Sequence, residues 1–143
     1  MKRVQIARTV DGFMRRLHAS VHEKAQIRDR ERVGPFGGMV LMAVEEFQPV
    51  SIHLLVEHMR RDKSQMTRAV QQLEAKGLLQ RAPSVDDGRL VLLSLTEKGQ
   101  AVVSDLQAIV GEAVETQLSN LEEDERQTLM ALLDKAASGA VDT

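Results

Sequence analysis

The sequence predicts a mainly α-helical domain with one small β-hairpin, and three observations predict it. Apolar residues recur at helical spacing over most of the chain. A short helix, a tight connection and a second helix follow one another between residues 52 and 76. Directly after them, residues 78–95 read as two apolar strands around a turn-rich tip.

Composition bounds what such a fold can do. The 143 residues are 43% hydrophobic and 28% charged, enough for one domain to bury a core without metal or disulfide support. With three Phe and no Trp or Tyr, aliphatic side chains and the seven Met must fill that core. The absence of cysteine excludes disulfides, thiolate catalysis, Cys-based zinc sites and thiol redox sensing. The opening MKRVQIARTVDGF lacks the apolar run of a signal peptide, and no stretch approaches the roughly 20 apolar residues of a membrane span. A cytoplasmic location and no membrane partner are therefore expected. The net charge of -2 is unevenly spread. Residues 1–32 hold nine Lys or Arg against four acids, and residues 60–89 hold seven against four. Residues 33–59 hold three acids and no Lys or Arg, and residues 97–143 hold ten acids against three basic residues. Two basic segments and an acidic end fit a polarised molecule with one face able to approach phosphates, and they fit ordinary charge scatter equally well.

The elements follow in order. Val4 to about Arg30 reads as a helix, with Val4, Ile6, Val10, Phe13, Met14, Leu17, Val21 and Ile27 along one stripe. Gly34-Pro35-Phe36-Gly37-Gly38 reads as punctuation, so a second helix is expected from Met39 to Phe47, ahead of Gln48-Pro49. Ser51 can cap a short helix Ile52–Met59. Asp62, with Gln65 three residues on, makes a capping box for a helix that runs to Lys76 and stops at Gly77. Leu78–Arg81 and Leu90–Leu95 are the strands, and Pro83–Gly88 is the tip. From near Gly99 a long helix carries Val102, Val103, Leu106, Ile109, Val110, Ala113, Val114 and Leu118, weakened locally by Gly111. Asn120 with Glu123 is expected to cap a last helix bearing Leu129, Leu132 and Leu133, and the acids at 122–125 suit its N-terminus.

On the helix after Asp62, the residues Met66, Ala69, Val70 and Leu73 mark the buried face. The opposite face holds Ser64, Thr67, Arg68 and Gln71, flanked by Gln65 and Gln72, with no acid before Glu74. Gln and Arg carry the paired donors and acceptors that match adenine and guanine edges in a major groove, and an acid there would repel phosphates. A polar outer face is also what any solvated helix shows, so the helix alone does not decide. The hairpin beside it does: its tip places Arg89 next to Gly88, a long cation suited to a phosphate or the minor groove. Asp87 is expected to hold Arg89 by a charge-assisted bond. Helix-turn-helix followed by a basic-tipped hairpin is a winged helix-turn-helix.

From Asp62 to Gly99 the sequence resembles the MarR family of bacterial winged helix-turn-helix regulators. DKSQMTRAVQQLEAKGLLQR is similar to its recognition helix and first wing strand. DDGRLVLLSLTEKG follows the wing pattern through Asp87, Arg89, Leu95, Thr96 and Gly99. The resemblance implies that Ser64, Gln65, Thr67 and Arg68 face the major groove, that Arg89 enters the minor groove, and that Asp87 orients Arg89. Gly88 departs from the pattern, since many members carry a second arginine there. That would weaken the wing's hold on DNA or pass the phosphate contact to Arg81 or Lys63. The implied function is regulation of transcription, by repression or activation, through sequence-specific binding to double-stranded DNA. The competing class is a protein-interaction module that keeps the winged fold, and salt-dependent duplex binding separates the two.

A lobe at residues 34–98 would bind DNA, and residues 1–33 and 99–143 would be dimerisation helices, because their apolar stripes need a partner surface. Packing against the chain's own core is the alternative for those stripes. A homodimer would place two recognition helices about 34–36 Å apart and favour an inverted-repeat operator. The resemblance also implies a small aromatic or anionic effector, for which Arg15, Arg16 or His18 could supply charge. His18 and His22 share a helix face with no third ligand evident nearby, so no metal is expected. No Ser-His-acid order or glycine-rich phosphate loop stands out, so neither enzymatic activity nor a cofactor is expected.

Overall fold

In the computed structural model, which describes residues 1–139, six helices and one hairpin follow in the order α1 (Arg3–Arg28), α2 (Gly34–Phe47), α3 (Ile52–Met59), α4 (Lys63–Ala75), β1 (Leu79–Pro83), β2 (Val91–Leu95), α5 (Glu97–Gln117) and α6 (Glu123–Gly139). The mainly helical class with a single antiparallel hairpin is the one expected from the sequence. No helix among the described residues is long and apolar enough to cross a membrane. The chain divides into two compact units, one formed by Val21–Val110 and the other by Met1–Ser20 with the chain from Gly111 onward.

Val21–Val110 is built around an aliphatic core. Val40, Leu41 and Val44 of α2, Leu55 of α3, Met66, Val70 and Leu73 of α4, Leu78, Leu93 of β2 and Val103 of α5 are all buried. Their local structure is fixed largely by side-chain caps. Ser51 accepts a hydrogen bond from the Leu54 NH at 3.1 Å and starts α3. Arg60, left-handed at φ 51°, ends it. The Asp62 carboxylate accepts from the Gln65 NH at 3.0 Å and starts α4. At the other end of α4, Gly77 has φ +74°; its NH donates to the Glu74 carbonyl while the Leu78 NH donates to that of Leu73. This crossed pair of bonds closes the helix and turns the chain into β1.

The second helix starts five residues earlier than expected. Pro35 lies in its first turn, where a missing NH costs nothing, and Gly37 and Gly38 are buried helical residues, not loop. A Cβ on Gly37 would come within 2.8 Å of Val33 Cγ1, so close packing accounts for that glycine, whereas one on Gly38 would meet Leu106 Cδ1 at 3.4 Å in ordinary contact. The cap comes from upstream. Asp29 accepts from the Val33 NH through Oδ1 and from the Gly34 NH through Oδ2, each at 2.9 Å. Asp29→Ala leaves both donors unpaired and should lower the unfolding free energy by roughly 1–2 kcal/mol. Denaturant titration reads this directly, and a loss below a few tenths would mean that water replaces the carboxylate fully.

The hairpin pairs Leu79 with Leu95 through to Pro83 with Val91. A further element was not expected: Val50 and Leu93 exchange both main-chain hydrogen bonds, at 3.0 and 2.7 Å. The Gln48 side chain also accepts from the Leu95 NH at 2.9 Å. These contacts tie β2 to the residues that lead into α3. Helix α5 begins at Glu97, two residues before Gly99, because Thr96 is its cap. Thr96 Oγ1 accepts from the Gly99 NH at 3.0 Å and donates to the Gly77 carbonyl at 2.6 Å.

In the second unit Gly12, Ala113 and Leu118 are buried, and α6 buries no residue. Val4, Ile6, Val10 and Met14 of α1 and Met130, Leu132 and Leu133 of α6 are instead 42–62% exposed. Asn120 does not cap α6. The Glu122 NH donates to Glu125 Oε1 at 2.9 Å, so the cap falls two residues later and uses the acidic cluster itself.

Candidate nucleic-acid interface

Helix α4 presents its polar face because its apolar face is fully used: Met66, Ala69, Val70 and Leu73 are the buried residues of this helix. On the other side Lys63, Ser64, Gln65, Arg68 and Gln71 are exposed, and Thr67 is half-buried. Glu74, half-buried, is bound by Arg81, whose Nε lies 2.7 Å from Glu74 Oε1. This pair neutralises the first acid on α4 and engages one of the two basic side chains offered as a substitute phosphate contact, leaving Lys63 as the better placed of the two.

The wing loop is ordered from within. The Ser84 NH donates to the Leu90 carbonyl at 2.8 Å, and Ser84 Oγ accepts from the NH groups of Asp86 and Asp87 at 3.3 and 3.4 Å. Asp87 Oδ1 accepts from the Arg89 main-chain NH at 3.0 Å. The expected bond between this carboxylate and the Arg89 guanidinium is absent among the described residues. A short carboxylate two residues upstream reaches the main-chain NH without fixing a long side chain, so the turn wins. Asp87 therefore orients Arg89 through the backbone and leaves its cationic end exposed.

Between α4, the hairpin and the first turn of α3 runs an open groove of about 290 Å³. Lys63 and Thr67 border it from α4, Arg81 and Arg89 from the hairpin, and His53 from α3. Lys63, Thr67 and Arg89 are thus brought together, whereas Ser64, Gln65, Arg68 and Gln71 stand on the exposed helix face outside the groove, and Asp87 stays in the loop. His53 was not singled out from the sequence. Its position on the short helix was legible, but the hairpin that folds back toward it was not. His18 and His22 are both exposed; the His22 ring meets the Gln26 amide at 2.9 Å. No group of three or more His, Asp or Glu placed to hold a metal occurs among the described residues.

A two-helix turn unit with a two-stranded wing on the exposed side of its second helix defines the winged helix-turn-helix class. Residues 38–90 match the profile of the MarR family. The chain is 30% identical over 104 residues to the HTH-type transcriptional regulator SarZ of Staphylococcus haemolyticus, covering 73% of this chain and 69% of SarZ. It is 28% identical over 97 residues to YybA of Bacillus subtilis, described as an uncharacterised HTH-type transcriptional regulator, covering 68% and 65% of the two chains. Among solved structures it is similar to apo MarR of Escherichia coli, with a TM-score of 0.73 at 24% identity over 91% of this chain and 95% of that one. It is similar also to a mutant of that MarR complexed with operator DNA, with a TM-score of 0.71 at 24% identity over 93% and 94%. The chain belongs to the MarR family of transcriptional regulators.

Proposed function

We propose that this protein regulates transcription by binding double-stranded DNA sequence-specifically, with α4 in the major groove and the wing on the backbone or in the adjacent minor groove. One observation carries the reading. The acid-free outer face of α4 and the Arg89-bearing wing loop border the same side of one unit, with Lys63, Thr67 and Arg89 around a shared groove. Ser64, Gln65, Arg68 and Gln71 would read base edges, Lys63 and Arg89 would meet phosphate or minor-groove oxygens, and Asp87 would hold the loop. A mutant MarR of Escherichia coli with the same fold was solved in complex with operator DNA, which supports DNA as the partner.

The exposed apolar rows on α1 and α6 support a homodimer, since aliphatic surface left in water is unfavourable by about 25 cal/mol per Å². Two-fold symmetry then implies an inverted-repeat operator. Division of labour follows: the 34–98 lobe binds DNA, while residues 1–33 and 99–143 dimerise. Family membership extends the proposal to a small aromatic or anionic effector. Such a compound must alter DNA affinity by binding unequally to competent and incompetent states.

Selection of duplexes from a random pool should return inverted repeats, and their affinity should fall steeply with salt through counterion release. Sedimentation at micromolar concentration should give a dimer. Salt-insensitive binding would exclude phosphate contact, and a monomer that selects single half-sites would exclude the dimeric arrangement.

A further inference from the structure

We infer that Glu74 is a positioning residue that limits how strongly this protein grips the DNA backbone. It holds Arg81 in a neutral pair beside the groove, so that Lys63 and Arg89 carry the phosphate contacts there and Arg81 does not. The inference rests on the DNA-binding reading above and assigns a limit on affinity to that same groove. Arg81 lies on β1 opposite Leu93 and borders the groove together with Lys63 and Arg89. Its Nε donates to Glu74 Oε1 at 2.7 Å, seven residues back on α4.

The fold gives no reason for an acid at this place. Glu74 is the only acid of α4 and stands in the last turn, where the negative end of the helix dipole disfavours it. The two side chains, Arg81 and Glu74, are 38% and 26% exposed, and ion pairs open to water contribute little to stability. The bond joins α4 to β1, but that junction is already fastened. The Leu78 NH donates to the Leu73 carbonyl, and the side chains of Leu73, Leu78 and Leu79 are buried together in the core.

What the pair changes is charge. Three cations border the groove, Lys63, Arg81 and Arg89, and no carboxylate does among the described residues. Glu74, which is not part of that border, reaches one of the three. A carboxylate in direct contact offsets the guanidinium charge felt a few ångströms away, and a phosphate approaching Arg81 also meets the repulsion of the carboxylate. Counterion release counts the phosphates a protein neutralises, so the pair withdraws one contact from the sequence-independent part of binding. Ser64, Gln65, Arg68 and Gln71 stand on the exposed helix face outside the groove and keep their access to base edges. A larger share of the affinity then depends on base contacts.

The test uses the full chain with one selected operator duplex and one random duplex of equal length, each titrated over a salt series. Glu74→Gln removes the charge and keeps the shape. It should tighten binding to both duplexes and steepen the slope of log affinity against log salt by about 0.9 for each subunit that gains a contact. A slope of that size corresponds to roughly eightfold in affinity between 1 M and 0.1 M salt. Glu74→Ala, which removes the acceptor as well, should steepen the slope equally. Glu74→Gln combined with Arg81→Gln exchanges one neutral pair for another and should return slope and affinity to wild type. A wild-type or shallower slope in both Glu74 variants overturns the inference while leaving DNA binding intact. A gain that survives in the double variant overturns it too, because the effect then does not run through Arg81. Wild type without salt-dependent duplex binding overturns the functional reading itself.

Discussion

Gly99→Ala is expected to lower the unfolding free energy by roughly 3 kcal/mol or more, although it adds a single methyl group at a helical position. The new Cβ would overlap the Leu78 carbonyl oxygen and sit 3.0 Å from the Leu78 carbonyl carbon. Relief would require Leu78 to move, and it is held from three directions. Its NH donates to Leu73 in the closure of α4, its carbonyl accepts from the Thr96 NH at 3.1 Å, and its side chain is fully buried. Moving Gly99 instead would break the Thr96 cap of α5. An intrinsic gain of about 1 kcal/mol for Ala over Gly in a helix is too small to offset a clash with backbone on both sides. Chemical denaturation monitored by circular dichroism reads the loss as a lower midpoint. A change below about 1 kcal/mol would show that the start of α5 slides freely past the end of α4.

This contact also explains the wing signature in physical terms. Leu95 is buried in the core, Thr96 caps α5 and holds the Gly77 carbonyl, and Gly99 permits the close crossing. The spacing Leu-Thr-x-x-Gly is therefore a joint between α4, β2 and α5. Its residues were legible as a pattern, but the partner carbonyls at positions 77 and 78 were not, because only the folded hairpin brings them near.

Local chemistry was the most readable layer of the fold. Ser51, Asp62 and Gly77 act within three to five residues of themselves, and Met66, Ala69, Val70 and Leu73 follow helical periodicity alone. What escaped depends on longer reach or on competition. The start of α2 is not legible locally, because a Gly-Pro-Phe-Gly-Gly run reads as a breaker unless Asp29 is seen to cap it and Val33 to crowd Gly37. Asn120 lost the cap of α6 to Glu122, where a carboxylate three residues ahead reaches the exposed NH. In the interface, the exposed face of α4 was legible from its periodicity. The Arg81–Glu74 pair and the approach of His53 were not, since both join residues across the hairpin or the helix turn.

Substitution of Arg68 and of Arg89 should separate sequence reading from charge. Arg68 stands on the outer face of α4, beyond the groove, where a side chain in the major groove would meet base edges. Arg68→Ala should cost ~1–3 kcal/mol on the selected operator and much less on unrelated duplexes, so that specificity relaxes. Arg89 is the cation of a loop held by Asp87 and Ser84 through main-chain bonds. Its loss should leave the turn intact and weaken binding to all sequences at phosphate positions, reducing the salt slope by about 0.9 per contact. If Arg89 reaches base edges in a narrow minor groove instead, the loss will depend on A·T content there. Both variants change exposed side chains, so their unfolding midpoints should match wild type. Competition titrations with operator and random duplex at three salt concentrations measure all of these terms together. Equal losses on every duplex for Arg68→Ala would place that residue on the backbone and move base reading to Ser64, Gln65 and Gln71. Unchanged affinity in both folded variants would remove α4 and the wing from the DNA interface.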